Sequence, residues 1–168
     1  MDDTGFAVQL ASLVASTLRV ATPLVLCALA GTVSERAGVI DLGLEGKMLL
    51  AAFAAAAVGA VAGSFVLALA AALAVGVALS MLHAYACVSH DGDQVVLGMA
   101  ITMTASGLTI VLGIAWFHQG GQTPPLPESV RLAPWFGAGN SARGLGLLGH
   151  NGMVYAALAL VPAVWWLL

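Results

Sequence analysis

The chain has 168 residues, of which 61% are hydrophobic and 8% are charged, and its formal net charge is −3. Soluble domains carry roughly 25% charged residues, so this composition excludes a globular domain with a water-covered surface. It predicts helices that span a lipid bilayer, with membrane lipids as partners, and it offers no basic patch for nucleic acid.

The first predicted span covers residues 6–33 and contains two residues that disturb an apolar helix. Pro23 has no backbone donor and favours a kink. An arginine such as Arg19 costs about 2.5 to 3.5 kcal/mol at the centre of a bilayer. We therefore expect Arg19 to face protein or to extend toward the membrane interface.

The second predicted span follows a segment, residues 34–47, that holds five of the thirteen formal charges and three glycines. The apolar run between this segment and the turn predicted at Gly63 is too short to cross a bilayer. We therefore predict that the span starts further back and covers residues 39–62. Gly43 and Gly46 are expected to break it.

The remaining spans are predicted at residues 65–88, 95–117 and 152–168. Asp93 is the predicted N-cap of the fourth span, because a carboxylate accepts hydrogen bonds from the free amides at a helix start. The long loop 118–150 separates the last two spans. A loop of this length is expected to be functional or packed on the bundle surface.

These segments predict an all-α membrane protein, a single polytopic transmembrane helix bundle over residues 1–168 with about five spans, the second broken by glycines. If Arg36 and Lys47 lie on the cytoplasmic side, the loop 118–150 is extracytoplasmic. The last span ends on a pair of tryptophans without a flanking charge, which we interpret as a chain cut short.

Small residues recur at helical spacing on the second and third spans. Gly59 and Gly63 form a GxxxG pair, and a ridge on the third span consists of Ala68, Ala72, Gly76 and Ser80. Such residues let helix backbones approach closely. We expect packing within the bundle, with dimerisation as the alternative.

The charged segment is the first candidate site. Asp41 and Glu45 are four residues apart and share a face if the segment is helical. Gly43 and Gly46 permit a broken helix, whose free amides and carbonyls can bind a solute. The alternative is a cytoplasmic loop whose ion pairs, including one to Lys47, fix the orientation.

The fourth span has a polar stripe, whose members recur at spacings of three and four. They are Gly98, Thr102, Ser106, Thr109 and Gly113. The stripe is consistent with the lining of a path for a polar solute and equally with hydrogen bonds between helices.

No enzyme centre is indicated. His83, Cys87 and His90 are spaced so that they could ligate zinc or copper, but a second ligand pair is missing nearby, so no metal site is predicted. The patterns GxxxxGK[ST], GxSxG and HExxH do not occur. We predict no catalytic residue and no cofactor, and the chain is not expected to hydrolyse ATP.

Two stretches resemble one protein family. Residues 31–50 read GTVSERAGVIDLGLEGKMLL, and residues 92–101 read GDQVVLGMAI. They are similar to S-E-R-x-G-[VI]-[VI]-[ND]-[IL]-G-[IL]-E-G-x-M-L and to [AG]-[DN]-[QE]-[VI]-[VI]-x-G-x-[AM]-[IL]. These segments typify permease subunits of ABC importers in the branched-chain amino acid and simple-sugar permease superfamily, and the nucleoside and simple-sugar members are the most similar.

The resemblance implies a permease subunit of an ATP-driven importer in the bacterial inner membrane, which forms the path for a nucleoside or simple sugar. The implied partners are a second permease subunit in a homo- or heterodimer, a cytoplasmic ABC ATPase, and an extracytoplasmic solute-binding lipoprotein or periplasmic protein. The substrate-path candidates, from the matching segments and the polar stripe, are Asp41, Gly43, Glu45, Gly46, Gln94, Gly98, Thr102 and Ser106.

Members of this family are considerably longer and carry a coupling helix after the span that matches residues 154–168. The chain is therefore expected to correspond to the N-terminal half of a permease. Three alternatives stay open: an ATP-independent channel or secondary transporter subunit, a non-functional truncated permease, and a structural subunit that scaffolds partners.

Overall fold

The computed structural model describes residues 3–132 and 150–168, and this part of the chain contains helices but no β-strand. Four helices are long and apolar enough to cross a membrane, and the last is apolar but shorter. A π-helical turn and a 3-10 turn accompany them. The predicted all-α bundle is confirmed. The elements are α1 (Asp3–Arg36), α2 (Leu44–Ala62), α3 (Phe65–Ala84), the π-helical turn Tyr85–Ser89, α4 (Gln94–Phe117), the 3-10 turn Glu128–Val130 and α5 (Gly152–Leu167).

The chain divides into one unit of residues 1–33 and 132–168 and a second unit of residues 34–131. In the first unit the His150 side chain is buried at 2% exposure. Its Nε2 donates a hydrogen bond to the carbonyl oxygen of Ala15 at 3.0 Å. This bond ties the residues before α5 to α1.

The end of α1 is set by a glycine. α1 continues through Pro23 and ends where Gly38 takes a left-handed conformation, with φ of 84°. The amide of Gly38 donates to the carbonyl of Glu35 at 3.0 Å, and the amide of Val39 donates to that of Ser34 at 3.1 Å. This pair of bonds is a Schellman motif, which favours a residue without Cβ at the position of positive φ.

α2 begins later than the sequence predicts. Residues 39–43 are not helical, and Gly43 is the N-cap of α2, where the predicted span 39–62 has it as an internal break. Gly46 lies inside α2 without interrupting it. The difference arises because the motif at Gly38 turns the chain, and side chains then satisfy backbone amides that a helix would otherwise use.

The predicted N-cap of α4 is confirmed. The carboxylate of Asp93 accepts hydrogen bonds from the amides of Val95 at 2.9 Å and Val96 at 3.1 Å. These amides have no partner inside the helix, so the side chain satisfies donors that the first turn leaves free.

In the second unit, α2 packs against both α3 and α4. A methyl group added at Gly59 would lie 3.4 Å from Cβ of Ala68, which is 5% exposed. The predicted packing of small residues is confirmed at this pair. At Gly76 an added methyl would have no described atom within 4 Å apart from the neighbouring backbone of its own helix, and Ser80 is exposed in an open groove on α3.

The loop after α4 packs on the bundle as far as the structure describes it. α4 ends at Phe117, and its C-cap His118 has φ of 55°. Leu126 and Val130 then lie against α2, where an added methyl at Gly59 would come within 3.0 Å of Cγ1 of Val130. The sequence interpretations that concern residues 133–149 lie outside the described residues.

Candidate functional site between α2 and α4

Asp41, Lys47 and His83 form a buried polar group beside the start of α2, which we call the charged cluster. The Lys47 ammonium donates a hydrogen bond to Oδ2 of Asp41. Oδ1 of the same carboxylate accepts a hydrogen bond from the amide of Gly43 at 3.0 Å. Nδ1 of His83 lies 3.8 Å from this Oδ1. Lys47 is 6% exposed and His83 is 2% exposed.

The members of the charged cluster are satisfied to different degrees. A buried ion pair is tolerated when further hydrogen bonds satisfy the charged groups, and Asp41 meets this condition through Lys47 and the Gly43 amide. Neither ring nitrogen of His83 has a hydrogen-bond partner among the described residues. The cluster links the segment before α2, α2 itself and α3, so it fixes the place where α2 begins.

Next to the charged cluster, the backbones of α2 and α4 touch. A methyl group added at Gly98 would lie 2.8 Å from the amide nitrogen of Gly43. One added at Gly46 would lie 2.6 Å from Cα of Thr102. Real Cβ atoms do not approach backbone this closely, so any side chain here forces the helices apart. We call these two residue pairs the glycine contact.

Polar groups of α4 surround the glycine contact. Oε1 of Gln94 accepts a hydrogen bond from the amide of Ile40 at 2.7 Å, which ties the start of α4 to the segment before α2. The hydroxyl of Thr102 donates to the Gly98 carbonyl at 3.1 Å, and that of Ser106 donates to the Thr102 carbonyl at 2.9 Å. The hydroxyls of the polar stripe therefore donate within α4, and not to another helix, which was one of the two alternatives that the sequence left open.

The structure brings most of the predicted path residues together. Glu45 and Ser106 are exposed. That the set lines a solute path stays a prediction. His83 was missed as a member of this site, although a histidine inside an apolar span signals a polar neighbour, because an unpaired one is costly. The residues that meet at the glycine contact and the charged cluster are Asp41, Gly43, Gly46, Gln94, Gly98 and Thr102.

The residues considered as metal ligands are placed differently from one another. His83 and Cys87 are buried, whereas His90 is exposed and its ring packs edge-on against Tyr85, with centroids 4.7 Å apart. Within residues 3–132 and 150–168, no group of three or more His, Cys, Asp and Glu side chains is arranged to hold a metal ion.

Beyond the glycine contact, α2, α4 and the loop after α4 border a space of about 400 Å³, which we call the α2–α4 cleft. Phe53 on α2 stacks on Trp116 of α4, with ring centroids 6.2 Å apart and planes at 25°. The α2 wall consists of Leu49, Ala52, Phe53 and Ala56. The opposite wall consists of Thr109 on α4 and of Gly121, Gln122 and Thr123 in the loop that follows.

Comparison with known proteins places the chain in a family. Residues 13–168 match the model of a family described as the permease component of branched-chain amino acid transport systems. The chain belongs to this permease family. With its membrane-crossing helices, this permease family member is a multi-pass membrane protein. No solved structure matches it significantly.

Three relatives resemble this permease family member. A provisionally named glucose ABC transporter permease protein of Haloferax volcanii, TsgC13, is 35% identical over 94% of this chain and 48% of its own length. The guanosine ABC transporter permease protein NupQ of Bacillus subtilis is 39% identical over 71% of this chain and 39% of its own length. The nucleoside ABC transporter permease protein NupC of Lactococcus lactis is 32% identical over 64% of this chain and 36% of its own length. The chain therefore spans about half or less of these relatives.

Proposed function

We propose that the chain forms part of the membrane path of an ATP-driven importer for a nucleoside or a simple sugar. The observation that supports this most strongly is the family match over residues 13–168. The names of its relatives include both solute classes, glucose on one side and guanosine or nucleosides on the other.

The proposed importer also needs partners. A second permease subunit would complete the path, a cytoplasmic ABC ATPase would hydrolyse the ATP, and an extracytoplasmic solute-binding protein would deliver the solute. The chain is then a transport subunit and not an enzyme. We propose a bacterial inner membrane location with Arg36 and Lys47 on the cytoplasmic side, which places the charged cluster near that surface.

The arrangement of α2 and α4 supports a role in a path. Both helices run in the same direction, because Gly43 meets Gly98 near their starts while Phe53 meets Trp116 further along. Their backbones touch at the proposed cytoplasmic end, and they border the cleft beyond it. A pair of helices that is closed at one end and open at the other is the form expected of a path that opens to one side of the membrane at a time.

Uptake into membrane vesicles tests the proposal. The transporter is assembled from this chain with the second permease subunit, the ATPase and the binding protein proposed above, and labelled uridine, glucose, ribose and leucine are supplied separately. We expect uptake of a nucleoside or a sugar that requires ATP and stops when the ATPase is omitted. Uptake by the chain without any ATPase would instead support a channel or secondary transporter. Uptake of leucine alone would contradict the proposed solute class.

A further inference from the structure

We propose that the α2–α4 cleft is a solute subsite on the outer half of the path and that it takes a neutral nucleoside, the base against α2 and the ribose toward α4 and its following loop. This inference rests on the proposed function and adds to it a location, a set of contact residues and a choice between the two solute classes. The residues of the charged cluster and the glycine contact do not line this cleft.

The size and position of the cleft suit a transported solute. Its volume of about 400 Å³ falls within the range of roughly 300 to 1,000 Å³ that is typical of small-molecule sites. Thr109 lies in the second half of α4, and Gln122 and Thr123 belong to the loop that follows. In the proposed orientation this loop is extracytoplasmic, so the cleft lies where a solute arrives from outside.

The two walls of the cleft differ in chemistry. The α2 wall is apolar and includes the ring of Phe53, which Trp116 holds by stacking. The opposite wall presents two hydroxyls and one amide. The hydroxyl of Thr109 donates to the Ser106 carbonyl at 3.0 Å and keeps its lone pairs for a ligand, whereas the side chains of Gln122 and Thr123 have no hydrogen-bond partner among the described residues.

This asymmetry favours a nucleoside over a free sugar. A hexose carries hydroxyls around its whole ring, so the apolar wall would leave some of them without a partner, which is unfavourable. A nucleoside has one flat apolar part and one hydroxyl-bearing part. An aromatic ring such as Phe53 can stack on the base, and the amide of Gln122 can both donate and accept at polar edges.

The same lining argues against an amino acid. Among the residues that the structure describes, none that lines the cleft has a charged side chain. An amino acid brings a carboxylate and an ammonium group together, and removing both from water without an opposite charge is strongly unfavourable. The cleft therefore fits a neutral solute.

Substitutions in the cleft, measured by ATP-dependent uridine uptake in the assembled transporter, test the subsite. We expect Gln122→Ala and Thr109→Val each to reduce uptake about two- to tenfold, as for the loss of one hydrogen bond. Phe53→Leu is expected to reduce it about tenfold by removing base stacking, and Phe53→Tyr should retain most of it. The matched controls Gln119→Ala, in the same loop, and Thr104→Val, on the exposed face of α4, should stay within about twofold.

A second measurement does not depend on turnover. Thr123→Cys places a thiol in the cleft, and Glu128→Cys places one in the same loop but outside the lining. A membrane-impermeant maleimide added to the outside of right-side-out vesicles should label both. Saturating uridine should slow labelling at the first position and leave the second unchanged.

The outcomes separate the subsite from the function. If the unchanged transporter takes up neither nucleosides nor sugars with ATP, the proposed function fails and the subsite with it. If uridine uptake is normal but the cleft variants match their controls, or uridine leaves labelling at residue 123 unchanged, the subsite alone is refuted. Uptake confined to glucose or ribose refutes the nucleoside assignment.

Discussion

The two ends of the α2–α4 pair are built from the same helices and have opposite properties. At the glycine contact no side chain fits between the backbones, because an added methyl at Gly46 would lie 2.6 Å from Cα of Thr102. In the α2–α4 cleft, longer side chains such as Leu49 and Phe53 stand where glycine stood one or two turns earlier, and a space of about 400 Å³ opens. The residues that α2 presents therefore differ in size between the closed and the open end of the pair.

Charge follows the same division. Lys47 and Asp41 are paired and largely shielded from solvent at the closed end, whereas none of the described residues that line the open end has a charged side chain. The residues that resemble a family signature thus fix the helices to one another. The space of about 400 Å³ is bordered by Leu49 at the end of the first matching segment, by Thr109 of the polar stripe, and otherwise by residues outside the two segments.

The largest expected effect is on the charged cluster. Lys47→Met leaves the Asp41 carboxylate buried without its partner, which should lower the free energy of unfolding by about 3 to 5 kcal/mol. The double variant Asp41→Asn with Lys47→Met should recover much of this loss of unfolding free energy, since the Asn side chain is neutral and can still accept a hydrogen bond from the Gly43 amide. Equilibrium unfolding in mixed detergent–SDS micelles, followed by circular dichroism, measures both. Glu45→Gln, at an exposed position, is the control, and an equal loss there would contradict the comparison.

The glycine contact should come next. Gly46→Ala forces α2 and α4 apart and should cost about 1 to 3 kcal/mol. Gly76→Ala is its matched control, because the described residues leave open space around that position and alanine is the better helix former. Thermal unfolding of the two variants in the same detergent compares them. Equal melting temperatures would mean that the contact does not hold the closed end together.

The start of α4 should show a smaller effect. Asp93→Ala removes the acceptor for the amides of Val95 and Val96 and should cost about 1 kcal/mol. Asp93→Asn retains an acceptor of similar quality and should be nearly neutral. Amide hydrogen exchange in the first turn of α4 reports the change locally. Unaltered protection in the alanine variant would show that the cap is dispensable.

The smallest effect on stability is expected at the open end. Gln122→Ala removes an exposed side chain and should change the free energy of unfolding by less than about 0.5 kcal/mol. Combined with the loss of uridine uptake expected above, this would assign stability to one end of the helix pair and solute contact to the other. A destabilisation comparable to that of Gly46→Ala would remove the distinction.

Local features of the structure followed from the sequence. The apolar runs predicted membrane-crossing helices because hydrophobic length is a property of the chain alone. Asp93 was identifiable as an N-cap because the amides from which it accepts hydrogen bonds lie two and three residues away. The start of α2 was predicted too early. Apolar composition could not show that Gly38 would take φ of 84° and turn the chain before Gly43.

Which distant residues pair with one another is determined only by the packing of the helices. His83 reaches Asp41 from a position 42 residues away, and Gln94 bonds Ile40 across 54 residues, so no local pattern states either pairing. The polar stripe of α4 was visible in the sequence, but its packing against α2 at one end and its exposure to a cleft at the other depend on the facing side chains. Composition and spacing therefore specified the helices of this permease family member, and the sizes of the residues that face each other decided where the helices touch and where they leave room.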